Sequence, residues 1–215
     1  TLITLDRKSD GYRNSVDLGR TSNMQRLTLA QKGILSITLH SKGRACHSAT
    51  PWRGENAIEK LTEGYAKIKT LFPKGLTEKN NWHNTLALTI IQGGTVRNMV
   101  PETASMTLNI RFTEQTDPIR LCRRIEKASG CAAQVHLITP FVSVSEKDPL
   151  VRDFLSAMRR RLYPKVVVSR MNGATDARYF ISRTPSVAIT GLLGKGAHSV
   201  DEYVEIASLH RLEKF

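Results

Sequence analysis

Hydrophobic and polar positions alternate strictly over residues 34–40. Leu35, Ile37 and Leu39 fall on one side of an extended chain, and Ser36, Thr38 and His40 on the other. Such alternation predicts a half-buried strand. After the loop GRACHSATPWRGEN the period changes. Ile58, Leu61, Tyr65, Ile68 and Phe72 recur at helical spacing, so an amphipathic helix is predicted over 56–72, capped by Asn56 and stopped before Pro73. A strand follows at Thr85–Ile91 and ends at Gly93-Gly94. Alternation returns at Ser105–Thr113, with Met106, Leu108, Ile110 and Phe112 facing one way and Thr107, Asn109 and Arg111 the other. Asp117 then caps a second helix that has Pro118 at its first position and Ile119, Cys122 and Ile125 as apolar sites. A last strand is predicted at Gln134–Ile138.

The order over 32–141 is β-α-β-β-α-β, the ferredoxin-like arrangement of two helices on one face of a four-stranded antiparallel sheet. The flanks read differently. Leu2–Leu5 is strand-like, 6–11 turn-like, and 16–23 a strand end running into a loop. Beyond 141, a helix at Pro149–Leu162 precedes a strand at Val166–Val168. Gly173-Ala174-Thr175-Asp176 opens a helix through Ile181, Pro185–Ile189 is a strand, and Ile206–Phe215 a final helix. This α-β-α-β-α run resembles half of an open α/β sheet. It is too short to stand alone. The fold class is therefore α/β: residues 1–31 and 142–215 form one incomplete α/β domain, into which 32–141 is inserted.

Composition adjusts this picture at a few points. With 40% hydrophobic and 24% charged residues, the 215-residue chain suits a globular protein with a buried core. No apolar run approaches the roughly 20 residues that span a bilayer, so no membrane partner is expected. The opening TLITLDRKSD does not form a signal peptide and has no initiator Met, so an upstream segment is expected. Cys46, Cys122 and Cys131 lack metal-type spacing, and their odd number suits a reducing, cytoplasmic location. The net charge of +13 raises polyanion binding. Its densest runs, Arg120–Arg124 and Arg159–Arg161, lie within amphipathic helical patterns and no nucleic-acid motif accompanies them. Solvated helix faces are the favoured reading, and nucleic acid the disfavoured partner.

The candidate chemistry lies in separated motifs. His198 sits in the glycine-rich GLLGKGAHSVDEYV, with Asp201 and Glu202 just after it, and imidazole is a common metal ligand. Asp201 and Glu202 also read simply as acids near a helix N-terminus. Cys46-His47-Ser48-Ala49-Thr50-Pro51, Asn98-Met99-Val100-Pro101, Asn109-Ile110-Arg111-Phe112 and Gly173-Ala174-Thr175-Asp176 complete the set. With the inserted domain, these motifs resemble the co-catalytic metallopeptidase and amidohydrolase family of acetylornithine deacetylase, succinyl-diaminopimelate desuccinylase, aminoacylase and glutamate carboxypeptidase. The match runs from about Lys32 to the C-terminus.

The resemblance implies a role for each motif. His198 would be the C-terminal metal ligand of a centre holding two zinc or cobalt ions. His47 would reach from the lid into the partner subunit's site and stabilise the oxyanion, so a homodimer through the lid is implied. Asn98 would bind substrate, Arg111 would pair with a substrate carboxylate, and the turn at Gly173 and Thr175 would contact substrate. The substrate would be a small N-acyl amino acid or peptide. These roles suit amide hydrolysis, which builds charge on the carbonyl oxygen, and an arginine forks well onto a carboxylate. Local alternatives stay open. Asn98 also suits a turn before Pro101, Arg111 a cross-strand pair, and Thr175 and Asp176 a helix start.

The sequence also departs from the family. A histidine and a bridging aspartate are expected to precede residue 1. Arg7 and Lys8 stand where adjacent glutamates belong, and Arg20 where a further acidic ligand belongs, with Asp17 the only nearby acid in a position to substitute. Cations do not ligate hard metals. An amide-bond metallohydrolase with an incomplete metal site is therefore one expectation. A non-catalytic dimerising homologue or fragment is the alternative, and a basic polyanion binder the least favoured.

Overall fold

The computed structural model describes residues 2–5, 25–184, 186–195 and 200–215. In chain order the elements begin with β1 (Leu2–Leu5), β2 (Arg26–Gln31), β3 (Gly33–Lys42), β4 (Cys46–His47), α1 (Ala57–Lys69) and β5 (Thr85–Gly93). Next come β6 (Met99–Val100), β7 (Thr103–Phe112), α2 (Pro118–Ser129), β8 (Ala132–Thr139), β9 (Val142–Ser143) and α3 (Pro149–Arg161). The chain ends with β10 (Val167–Met171), β11 (Val187–Thr190), β12 (Gly194–Lys195), β13 (Tyr203–Val204) and α4 (Ile206–Glu213). Two compact units result, one of residues 1–32 with 141–215 and one of residues 33–140.

The second unit follows directly from the alternating pattern. Its four-stranded antiparallel sheet has the order β5-β7-β3-β8. Strand β3 pairs with β7 along its whole length, from Gly33 opposite Phe112 to Lys42 opposite Thr103. Leu35, Ile37, Leu39, Leu108 and Ile110 are fully buried, as are Leu61 and Ile68 of α1 and Ile125 of α2. Each such side chain contributes about 1.5–3 kcal/mol of transfer energy. Asn56 caps α1 by accepting from the Ile58 and Glu59 N–H groups, and Asp117 caps α2 in the same way. Gly130 ends α2 in the left-handed region at φ 67°. Gly33 is needed for space: a Cβ there would collide with the Phe112 ring, itself 1% exposed.

In the first unit a sheet runs in the order β1-β11-β2-β10, with β9 added on β2. β1 is parallel to β11, and β10 to β2. β2 was not readable from sequence. Its Leu27, Leu29 and Ala30 are buried and so is the intervening Thr28, so it shows no alternation. Leu27 and Leu29 pack with Val151 and Met158 of α3 and with Leu162, Val166 and Ala188. Asp148 caps α3 by accepting from Leu150 and Val151 N–H at 2.9 and 3.2 Å, and its other oxygen accepts from the Ser186 hydroxyl at 2.8 Å. The Ser186 hydrogen bond, helped by the backbone bonds, holds the Asp148 carboxyl below the usual carboxylate range. The predicted helix from Asp176 through Ile181 is a correction: the chain makes only a 3-10 turn at Asp176–Tyr179.

Candidate functional site

His47 and Asn98 are brought together by a feature the sequence did not suggest. Strand β4 pairs antiparallel with β6, setting Cys46 opposite Val100 and His47 opposite Met99. One step further, the Ser48 N–H donates to the Asn98 carbonyl at 2.9 Å. Both side chains are exposed on this small ribbon. The loop after His47 is pinned from several sides. Thr50 N–H donates to the His47 carbonyl at 2.9 Å, and the Cys46 thiol to the Thr50 carbonyl at 3.4 Å. Gly54 allows the close approach, since a Cβ there would lie 2.6 Å from both the Arg44 carbonyl oxygen and the Cys46 sulfur.

The His47 ring is also oriented. Ala49 N–H donates to its Nδ1 at 3.1 Å. In the neutral ring that bond assigns the proton to Nε2, so the imidazole presents an N–H donor on its outer edge. A donor held this way suits an oxyanion.

Arg111 lies elsewhere in the same unit. It is half-buried near the end of β7, opposite Ile34 and Thr85, on the sheet face away from the helices. Lys42, Thr103 and the β4–β6 ribbon mark the other end of the sheet. Eight residues of strand separate Thr103 from Arg111, about 26 Å at 3.3 Å per residue. Within one copy the unit therefore joins His47 to Asn98 but leaves Arg111 apart.

In the first unit, Gly173 is half-buried and Thr175 is 6% exposed. Every polar group of Thr175 is engaged. Its N–H and hydroxyl donate to Gln31 Oε1 at 2.9 and 2.6 Å. Its carbonyl accepts from Gln31 Nε2 at 3.3 Å and from Arg178 Nη1 at 3.2 Å. The hydroxyl also accepts from Ala177 N–H at 3.2 Å and so caps the 3-10 turn. Arg178 also pairs with Asp176 at 3.9 Å and lies over the Tyr179 ring at 4.6 Å. Arg178 Nε is buried and has no hydrogen-bond partner among the described residues, while Nη2 donates to the Tyr179 hydroxyl at 3.0 Å. Sequence reasoning missed Gln31 and Arg178. Gln31 is 144 residues from Thr175 in sequence, and no local signal reports that pairing.

His198, Arg7, Lys8, Asp17 and Arg20 lie outside the described residues. The strands nearest His198 in sequence, β12 and β13, pair with each other, Gly194 opposite Val204 and Lys195 opposite Tyr203. Gly194 serves close packing there: a Cβ would collide with the Tyr203 carbonyl oxygen. Asp201 and Glu202 are exposed. No three His, Cys, Asp or Glu side chains cluster as a metal site among the described residues, so those residues do not by themselves make up a metal-binding set. None of the described helices is long and apolar enough to cross a membrane.

Comparison with known proteins agrees with the shape of both units. Residues 29–133 match the family model of the M20 peptidase dimerisation domain. The chain is 30% identical over 195 residues to a succinyl-diaminopimelate desuccinylase of Methylobacterium sp. (strain 4-46), covering 86% of this chain and 49% of that protein. It is likewise 30% identical over 208 residues to the succinyl-diaminopimelate desuccinylase of Methylobacterium radiotolerans, covering 91% and 53%. Among solved structures, aminopeptidase PepT from Bacillus cereus superposes with a TM-score of 0.71 at 16% identity, over 88% of this chain and 51% of that one. An M20 family metallo-carboxypeptidase from Sulfolobus solfataricus gives 0.67 at 15% identity, over 86% and 57%. The chain thus spans about half the length of the curated relatives it matches.

Proposed function

Because the chain belongs to the M20 peptidase family, we propose that it is the lid-bearing part of a dimeric hydrolase acting on amide bonds of N-acyl amino acids or small peptides. The observation that carries this reading is the β4–β6 ribbon, which joins the His47 and Asn98 segments of the chain, while the Ala49 N–H leaves the neutral His47 ring with an Nε2–H donor. Donated to the carbonyl oxygen of a scissile amide, that N–H stabilises charge as the tetrahedral intermediate forms. Loss of one such donor in an unrelated protease costs about 2.7–4 kcal/mol. Asn98, one step along the ribbon, orients the acyl group. Arg111 lies about 26 Å along β7 from Thr103, at the end of the sheet opposite the ribbon, too far to share one small substrate with His47 of the same copy. Two copies, each lending its His47 and Asn98 to the other, resolve that separation and give the lid its role in a homodimer.

In this reading His198 would be a ligand of a zinc or cobalt centre, whose chemistry would be to activate water and polarise the carbonyl. Gly173 and Arg178 bind the far end of the substrate, with Thr175 anchoring their turn. The second reading, a dimerising homologue without activity, is favoured by one feature: Arg7, Lys8 and Arg20 stand where the family resemblance would put acidic ligands. Metal content and hydrolysis of N-acetyl and N-succinyl amino acids in zinc- or cobalt-containing buffer separate the two. The hydrolase reading expects bound metal, turnover, and a loss of about 100- to 1,000-fold in kcat for His47→Ala. A dimer with neither metal nor turnover would establish the second reading instead.

A further inference from the structure

We propose that Gln31 is the positioning residue that holds the Gly173–Asp176 turn in its ligand-ready conformation. The inference rests on the reading of that turn as a substrate contact.

Gln31 ends β2 and is fully buried. Its carboxamide makes the hydrogen bonds a neighbouring strand would make. Oε1 accepts the Thr175 N–H at 2.9 Å, and Nε2 donates to the Thr175 carbonyl at 3.3 Å. Oε1 also accepts the Thr175 hydroxyl at 2.6 Å. No other uncharged side chain except asparagine offers a donor and an acceptor in this planar pair, and asparagine is one methylene too short. From Thr175 the order passes on in both directions. The hydroxyl caps the 3-10 turn through Ala177 N–H, and the carbonyl holds the Arg178 guanidinium. Gly173 lies two residues upstream on the same short segment.

The placement of Gln31 in the chain adds a second reason. Its backbone is in register with Val142 of β9 and with Met171 of β10. Lys32 next to it and Phe141 next to Val142 are the residues at which the chain leaves the first unit and returns to it. The strand that roots both connections therefore also grips the turn. Gln31 does not reach a substrate itself, because it is fully buried and its amide turns to Thr175. It acts by preventing the buried Thr175 peptide groups from seeking other partners, which would turn Gly173 and Arg178 away from a ligand.

The test uses the full chain in zinc-containing buffer, with Gln31→Met (similar size, no hydrogen bonds), Gln31→Glu (acceptor kept, donor lost) and Thr175→Ala. Amide hydrogen exchange gives a readout that does not depend on activity. In Gln31→Met, exchange at Thr175 and Ala177 accelerates about tenfold or more while Leu108 in β7 is unchanged, and Gln31→Glu falls between it and the wild type. With N-acetyl and N-succinyl amino acids as probes, KM rises about tenfold and kcat stays within about twofold. A merely structural defect would lower kcat through loss of active molecules and leave KM alone. Unchanged exchange at Thr175, or loss confined to kcat, overturns the proposal. A wild type without turnover overturns the hydrolase reading, and exchange at Thr175 then still decides the role of Gln31.

Discussion

Replacing Leu108 by Ala tests whether the second unit depends on the interior that the alternating pattern predicts. Leu108 is fully buried in β7, a central strand, with Ile37 of β3 opposite it on one side and Leu88 of β5 on the other. Helix α1 packs over β3 and β7, so there is no open route for the surroundings to collapse into the space left behind. Transfer of the lost methylene and methyl groups accounts for about 2.4 kcal/mol at 0.8 per group. The unfilled cavity raises this to about 3 kcal/mol or more. Both tryptophans, Trp52 and Trp82, lie in the second unit and the first has none, so tryptophan emission reports on this unit alone. Trp82 is the sensitive one, half-buried with its indole N–H donating to Glu114 at 3.2 Å. With a urea m-value of about 1.5 kcal/mol/M, the midpoint followed by this emission falls by about 2 M. Leu137→Ala on the edge strand β8, where the side chain is 46% exposed, stays within about 0.5 kcal/mol of the wild type. If both variants shift the midpoint equally, the reasoning from burial is wrong.

Further outcomes follow from single contacts. Gly33→Ala forces a Cβ into the buried Phe112 ring and destabilises the second unit by about 1–3 kcal/mol in the same urea experiment. The folded Asp148 carboxyl titrates below its unfolded value, so its contribution is present above the unfolded pKa and is lost as pH falls through the folded one. Ser186→Ala removes the largest cause of that shift, and a carboxyl-detected NMR titration should show the Asp148 pKa rising; an unmoved titration would disprove the assignment. Strand β5 is one of the two outer strands of the second unit's sheet, with Ile90 and Ile91 53% and 52% exposed, and we propose it as the edge that pairs in the homodimer. Ile91→Lys should yield monomers in sedimentation analysis with the far-UV spectrum unchanged. Cys122 is buried, and burial followed by the Glu126 charge pushes its thiol pKa up, so alkylation should label Cys46 well before it.

Local chemistry was enough to read much of the second unit. Leu35, Ile37 and Leu39 alternate with polar residues because one face of their sheet is covered and the other is not, and that asymmetry is written along the chain. Asn56 and Asp117 with Pro118 mark helix starts because a cap bonds backbone groups only two or three residues away. His47, Asn98 and Arg111 became candidates through short motifs that resemble a known family, while local chemistry alone left each with an ordinary reading. Contacts between distant segments decided the rest. The two-residue strands β4 and β6 are too short to carry a period, and only their pairing sets His47 opposite Met99 and brings Ser48 to the Asn98 backbone. β2 is buried without alternation, so its hydrophobicity does not distinguish a strand from a buried helix. Thr175 and Asp176 resemble a helix start, yet the chain makes a single 3-10 turn there, gripped by a glutamine from β2. A hydrogen bond between residues 144 positions apart leaves no trace in the neighbourhood of either one, so only the folded chain could assign Gln31 its place.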